Sequence, residues 1–342
     1  MKALIKKLVE AWGPSGFEHH VRTLIEDEIK DLCDEMRVDS MGNLICRVGE
    51  KTDDNLRIMI AAHMDEIGLM VSHVDRQGYL RFTNIGGLFP ANLSGNRVKF
   101  ENGVVGVIGM ENPWSRPKEI PGLDGFFIDV SDATEDDQNR NADIKVGDPA
   151  AFWRAFEERG NRLVAKSMDD RIGCAVAIET MRRLKDSGAK HEIYFVFTVQ
   201  EEVGLRGARP AAYGLEPDFG IALDVTGTGD TPKGMKMSID LGKGAAIKLR
   251  DNGLIVPPAV KDLMIDTAEK YDIPYQLEIL SGGSTDAAGI QSARAGVPSG
   301  CISIPCRYVH TVSETVDITD VEACVSLLEK ILSNPIENIR PN

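Results

Sequence analysis

Three strand-length apolar runs in this chain each end on side chains that bind metal ions, and this recurrence restricts the fold more than any other feature. LRIMIAA (56–62) runs into His63-Met64-Asp65, EIYFVFTVQ (192–200) into Glu201-Glu202, and FGIAL (219–223) into Asp224. Near-continuous apolar runs of this length read as strands buried on both faces. Open α/β sheets built from such strands gather ligands outside their carboxyl ends, so clusters distant in sequence can meet in one crevice. Asp169-Asp170, just ahead of a helical pattern, and His310, six residues past Ile304, can reach the same rim.

The rest of the chain supports that architecture. About the first 35 residues read as helical around a Gly13-Pro14-Ser15-Gly16 break. Helical periodicity returns at 172–184, 258–271, 286–295 and 319–332, the last with Val321, Cys324, Val325, Leu328 and Leu332 on one face. Strands alternating with helices predict a mixed, partly parallel sheet covered by helices, an α/β fold. Between Gly68 and Gly160 the texture changes. GYLRF, NRVKF, GVVGVIGM and FFIDV are short, glycine-punctuated strands, with the polar stretch SDATEDDQNRN (131–141) among them. This predicts a small β-barrel or sandwich inserted into the first domain, with a long meander as the alternative. The expected division is therefore 1–67 with 161–342 as one discontinuous α/β domain and 68–160 as the insert, in keeping with ~150 residues per domain.

Composition excludes several classes. A formal charge of -14 argues against nucleic acid as a partner, because a phosphate backbone demands a basic face. No apolar run approaches the ~18 residues of a membrane span, and MKALIKKLVEAWG lacks a secretory h-region, so a cytoplasmic address without membrane attachment is expected. The six cysteines form no C-x-x-C pair and are expected to be reduced and mostly buried. Asn92-Leu93-Ser94 reads as a turn rather than a glycosylation site. SGGSTDAAG (281–289) lacks the lysine and spacing of a phosphate loop and reads as a tight turn before a helix.

The clustered side chains suit a hydrolase that uses two divalent ions. Such a centre needs nitrogen and carboxylate donors for each ion, one carboxylate shared between the ions, and a shared water as nucleophile. In extended backbone His63 and Asp65 point to the same side, so Asp65 can orient the imidazole. Two glutamates closing an apolar strand are costly to bury without cations. Metal coordination relieves one of Glu201 and Glu202 and leaves the other free as general base. The same logic lets one of Asp169 and Asp170 bridge while its neighbour supports it. Histidines 19, 20, 73 and 191 show no such partners and read as ordinary surface or core residues.

HMDEIGLMV, SMDDRIGC, TVQEEVGLRGA, LDVTGTGDTP, GGSTDAAGIQ and IPCRYVHTVSE, in this order across nearly the whole chain, resemble the dinuclear metallo-aminopeptidases that assemble into tetrahedral shells. That family includes glutamyl and deblocking aminopeptidases and some members labelled endoglucanase. The resemblance implies one metal held by His63 and Asp224 and another by Glu202 and His310, with Asp169 bridging. It implies Glu201 as general base, Asp65 orienting His63, and Asp170 beside the bridge at a cis peptide bond. It also implies zinc or cobalt, with manganese compatible, and a barrel that mediates dimerisation within a homo-oligomer, up to a dodecamer. The expected activity is removal of N-terminal residues from peptide substrates. The alternatives are another dinuclear hydrolase, such as an N-acyl amidohydrolase or a glycanase, and a silent oligomeric scaffold.

Overall fold

The computed structural model describes residues 1–113, 120–130, 144–336 and 339. Its larger sheet has eleven strands. The order runs Glu35–Val38, Leu44–Val48, Glu192–Thr198, Arg57–His63, Phe219–Thr226, Ser299–Arg307, Glu314–Asp317, Arg162–Ala165 and Glu157–Arg159. Ala245–Arg250 branches from Ser299–Arg307 and carries Tyr275–Ile279 on its outer side. Arg57–His63 lies between two parallel neighbours, and Phe219–Thr226 is in turn parallel to Ser299–Arg307. The sheet is therefore mixed and partly parallel, as the apolar runs predict.

Burial explains why those runs carry no polar alternation. All eight residues of Phe219–Thr226 are buried, as are six of the seven in Arg57–His63. Helices cover the sheet, and each contributes an apolar stripe to its core. In Ile318–Leu332 the buried Val321, Val325, Leu328 and Leu332 follow helical spacing, and the Asp317 carboxylate caps the Thr319 amide at 2.9 Å. Each such side chain contributes ~1.5–3 kcal/mol by leaving water.

The glycine-rich region forms a closed six-stranded barrel, with strands from Gly68–Val74 to Pro149–Phe152. Leu69, Val71, Leu80, Phe82, Val98, Phe100, Ile108, Phe126 and Ile128 fill it with a separate core. Closure satisfies strand edges that an open meander would expose. The polar stretch 131–141 lies outside the described residues. The cysteines are free, and all but the half-buried Cys33 are buried. No helix among the described residues is long and apolar enough to cross a membrane.

Candidate active site

Strand register sets the site. His63 pairs with Thr198 and Ala61 with Ala222 across parallel ladders. Two residues on, along the same faces, come His63 and Asp224. Past Thr198 the chain reverses at Gln200, whose φ is 56°, and places Glu201 and Glu202 over the strand ends. A second left-handed residue, His310 with φ 60°, turns the loop after Ser299–Arg307 back toward them. Asp169 and Asp170 open the helical segment Met168–Ser187 with non-helical dihedrals and a cis peptide bond between them.

The seven residues expected at the site converge. Asp169 lies at the centre: Oδ1 is 3.0 Å from His63 Nε2, and Oδ2 is 3.3 Å from His310 Nε2. Glu202 Oε2 is 3.2 Å from the same His310 nitrogen. Two donor sets, His63–Asp169–Asp224 and Asp169–Glu202–His310, each hold their ligand atoms within 4.8 Å of one another and share Asp169. Separations near 3 Å are those of neighbouring ligands ~2.1 Å from one ion.

Charge balance in this crevice favours cations. Burial, reinforced by neighbouring carboxylates, raises Asp170, Asp224 and Glu201 well above the usual carboxylate range, and Glu202 is raised as well. For Asp169, burial is outweighed by His310 and His63, which hold it below that range. Burial also opposes protonation of His310, but Asp169 and Glu202 push it up to about 12. One Glu202 oxygen, Oε1, is buried without any hydrogen-bond partner. A cluster so rich in buried carboxylates and so poor in cationic side chains fits divalent ions, and protons compete with those ions for the histidines.

A supporting shell holds these groups in place. His63 Nδ1 lies 3.1 Å from the Asp65 carbonyl oxygen and 3.4 Å from the Asp65 carboxylate. A carbonyl only accepts, so Nδ1 carries the proton and Nε2 is left free to ligate. The Asp65 carboxylate itself mainly accepts from the amides of Glu201 (3.0 Å) and Glu202 (3.2 Å) and from Ser15 Oγ (2.6 Å). Asp65 therefore ties the first strand end to the second as well as orienting the imidazole. Asp170 accepts from the His63 amide at 3.2 Å and from the Gly173 amide at 3.0 Å, and it belongs to neither donor set.

Glu314 was not singled out from the sequence. Buried to 1% exposure, it accepts from the Asp169 amide at 3.0 Å and the His310 amide at 2.8 Å, one on each oxygen. It thereby fixes the backbone of two metal-ligand candidates at once. A glutamine there keeps one acceptor and turns an N–H toward the other amide. Glu314→Gln is therefore expected to weaken metal retention by ~10–100-fold with little change in fold. Competition against a chromogenic chelator measures this, and wild-type retention would remove Glu314 from the supporting shell.

The cluster opens into a cavity of about 930 Å³. Phe89, Leu205, Val225, Met235, Leu280 and Tyr308 supply apolar lining. The barrel reaches the rim through Gly86 and Gly87, where a Cβ would stand 3.1 Å from Glu202 Oε2 and 2.9 Å from His310 Nδ1 respectively. One sequence expectation is overturned: His19 and His20 do have a partner, Glu101, outside this site.

Comparison with known proteins agrees with this geometry. The profile of the M42 glutamyl aminopeptidase family matches residues 42–327. A putative aminopeptidase of Acetivibrio thermocellus is 43% identical over 95% of this chain and 96% of its own length. An aminopeptidase structure from the archaeon Desulfurococcus kamchatkensis superposes with a TM-score of 0.91 at 38% identity, covering 98% of this chain and 97% of that one. A Pyrococcus horikoshii peptidase that can assemble into a tetrahedron or a large octahedral shell gives a TM-score of 0.85 at 33% identity, covering 97% and 98%. With motifs, fold and crevice all in agreement, the chain belongs to the M42 glutamyl aminopeptidase family of metal-dependent peptide hydrolases.

Proposed function

We propose that this protein removes N-terminal residues from peptides with two divalent ions, one held by His63 and Asp224, the other by Glu202 and His310, with Asp169 shared. The observation that carries this reading is the pair of donor sets meeting at Asp169. Two ions bound there would supply Lewis-acid polarisation of a peptide carbonyl and a lowered pKa for water. Zinc, cobalt and manganese all suit two histidines among carboxylates, with zinc or cobalt the ions proposed first.

Glu201 is the proposed general base. It lines the cavity beside Asp169 and Asp224, at 9% exposure, and its amide is held by Asp65. Burial, partly offset by His63 and reinforced by Asp224, lifts its carboxyl well above the usual carboxylate range. It takes a proton from the attacking water and returns it to the leaving amine. His63, held through Nδ1, keeps its other nitrogen directed at Asp169. The apolar lining accommodates a side chain next to the scissile bond and excludes water from it.

The barrel is assigned to self-association in a dimer-based homo-oligomer, a reading supported by exposed Val107, Val146 and Trp153 on its strands and loops and by the shells of the Pyrococcus relative. Short peptides as substrates and a cytoplasmic address complete the proposal.

A panel of aminoacyl-p-nitroanilides, short peptides and their N-acylated counterparts tests the function. Metal-stripped protein is expected to be silent, and added zinc, cobalt or manganese should restore release of single N-terminal residues. Metal-restored activity on N-acylated substrates alone would instead mark an amidohydrolase. Silence on the whole panel with metal bound would mark a scaffold.

A further inference from the structure

We infer that His19, His20 and Glu101 form a second kind of metal site, a surface clamp for one divalent transition-metal ion between the first helices and the barrel. The residues come from separate parts of the fold. His19 and His20 open the helix His19–Ile29, whereas Glu101 lies in the turn between strands Arg97–Phe100 and Val105–Met110. Their ligand atoms nevertheless lie within 4.8 Å of one another.

Both imidazole Nε2 atoms point at the same carboxylate oxygen, Glu101 Oε1, at 3.0 and 3.1 Å. Two donors each about 2.1 Å from one ion lie roughly 3.0–3.4 Å apart for bond angles between octahedral and tetrahedral values. The spacing at Glu101 thus matches the 3.0–3.3 Å separations between ligand candidates around Asp169. A carboxylate oxygen can accept from both rings, but two imidazole nitrogens converging on one oxygen, with ring centroids 4.1 Å apart, is also the arrangement that three ligands around one cation adopt.

The site is also built before any ion arrives. Trp12 donates from Nε1 to the Lys99 carbonyl at 2.9 Å, joining the segment ahead of this helix to the barrel strand beside Glu101. The same indole packs edge-on against His20, at a centroid distance of 5.8 Å. The three ligand side chains are each about half exposed. An ion can therefore enter from solvent and complete its coordination with water. Two imidazoles and one carboxylate select zinc, nickel or copper over magnesium or calcium.

The test uses full-length protein stripped with a chelator and dialysed against excess zinc, with bound metal read by elemental analysis. His19→Ala/His20→Ala is expected to hold one zinc equivalent fewer per chain than wild type while hydrolysing peptides at the same rate. Zinc should also slow amide hydrogen exchange in the 97–107 hairpin of wild type and leave that of the double variant unchanged. Glu101→Gln, on the other side of the clamp, should lose the same equivalent, and it decides the question if the double variant fails to fold. Equal zinc content in wild type and in the folded variants would overturn the site.

Discussion

Replacing Glu201 by glutamine is expected to lower kcat by ~10²–10⁴-fold while bound metal stays at the wild-type level. The change is isosteric and removes only the ability to take up a proton. Glu201 has no place in either donor set around Asp169, so the ions should stay. Its amide still reaches Asp65, so the loop keeps its course. The informative readout is the split between rate and occupancy, obtained from steady-state kinetics and elemental analysis of the same sample. Parallel loss of metal and rate would make Glu201 a ligand, and unchanged turnover would remove it from the mechanism.

The second large effect concerns stability. Arg171 has no exposed surface, and its guanidinium donates to the carbonyls of Met64 (2.5 Å), Leu8 (2.9 Å), Ala11 (3.1 Å) and Gly13 (3.1 Å). It also lies 3.4 Å from Glu66, which Lys166 holds at 2.7 Å. These bonds staple the first helix and its following loop under the site. Methionine fills a similar volume but strands several buried carbonyl oxygens, so Arg171→Met should cost about 4 kcal/mol. With an unfolding entropy of ~2.1 cal/mol/K per residue, the thermal midpoint falls by roughly 6 °C. Arg171→Lys should recover only part of this, because a point charge cannot serve divergent carbonyls. A midpoint within about 1 °C of wild type would show that the staple contributes little.

The amino-acid order makes the strand ends legible. A buried strand that stops on His, Glu or Asp displays a candidate site through the clash between apolar run and charged terminus, and His63, Glu201, Glu202 and Asp224 all stand out this way. The barrel shows through its short glycine-broken segments. Supporting contacts do not. Glu314 and Ser15 act through backbone amides and a carboxylate brought close only by the fold, and no local spacing encodes that. Glu101 lies more than 80 residues from His19 and His20, so their meeting depends on how the barrel sits against the first helices.

Secondary structure was hidden where propensity and burial disagree. Tyr275–Ile279 is an edge strand with one buried residue among its five, so it presents no apolar run. Ala208–Leu215 carries proline and glycine, and it forms a helix because Ala208, Ala211, Ala212 and Leu215 pack into the core. Asp286–Gln291 is shorter than its periodicity predicts; the helix stops before Ala293, and Gly296, at φ 102°, closes the following turn. Asp65 shows the same limit at the site, since its amide partners on Glu201 and Glu202 come from a different strand end.

The proposed sharing of Asp169 between two ions is tested most directly by anomalous X-ray scattering from crystals of zinc-loaded protein. Two peaks flanking the Asp169 carboxylate are expected, one against His63 and Asp224 and one against Glu202 and His310. A single peak at Asp169, or none beside it in fully active crystals, would contradict the two-ion centre.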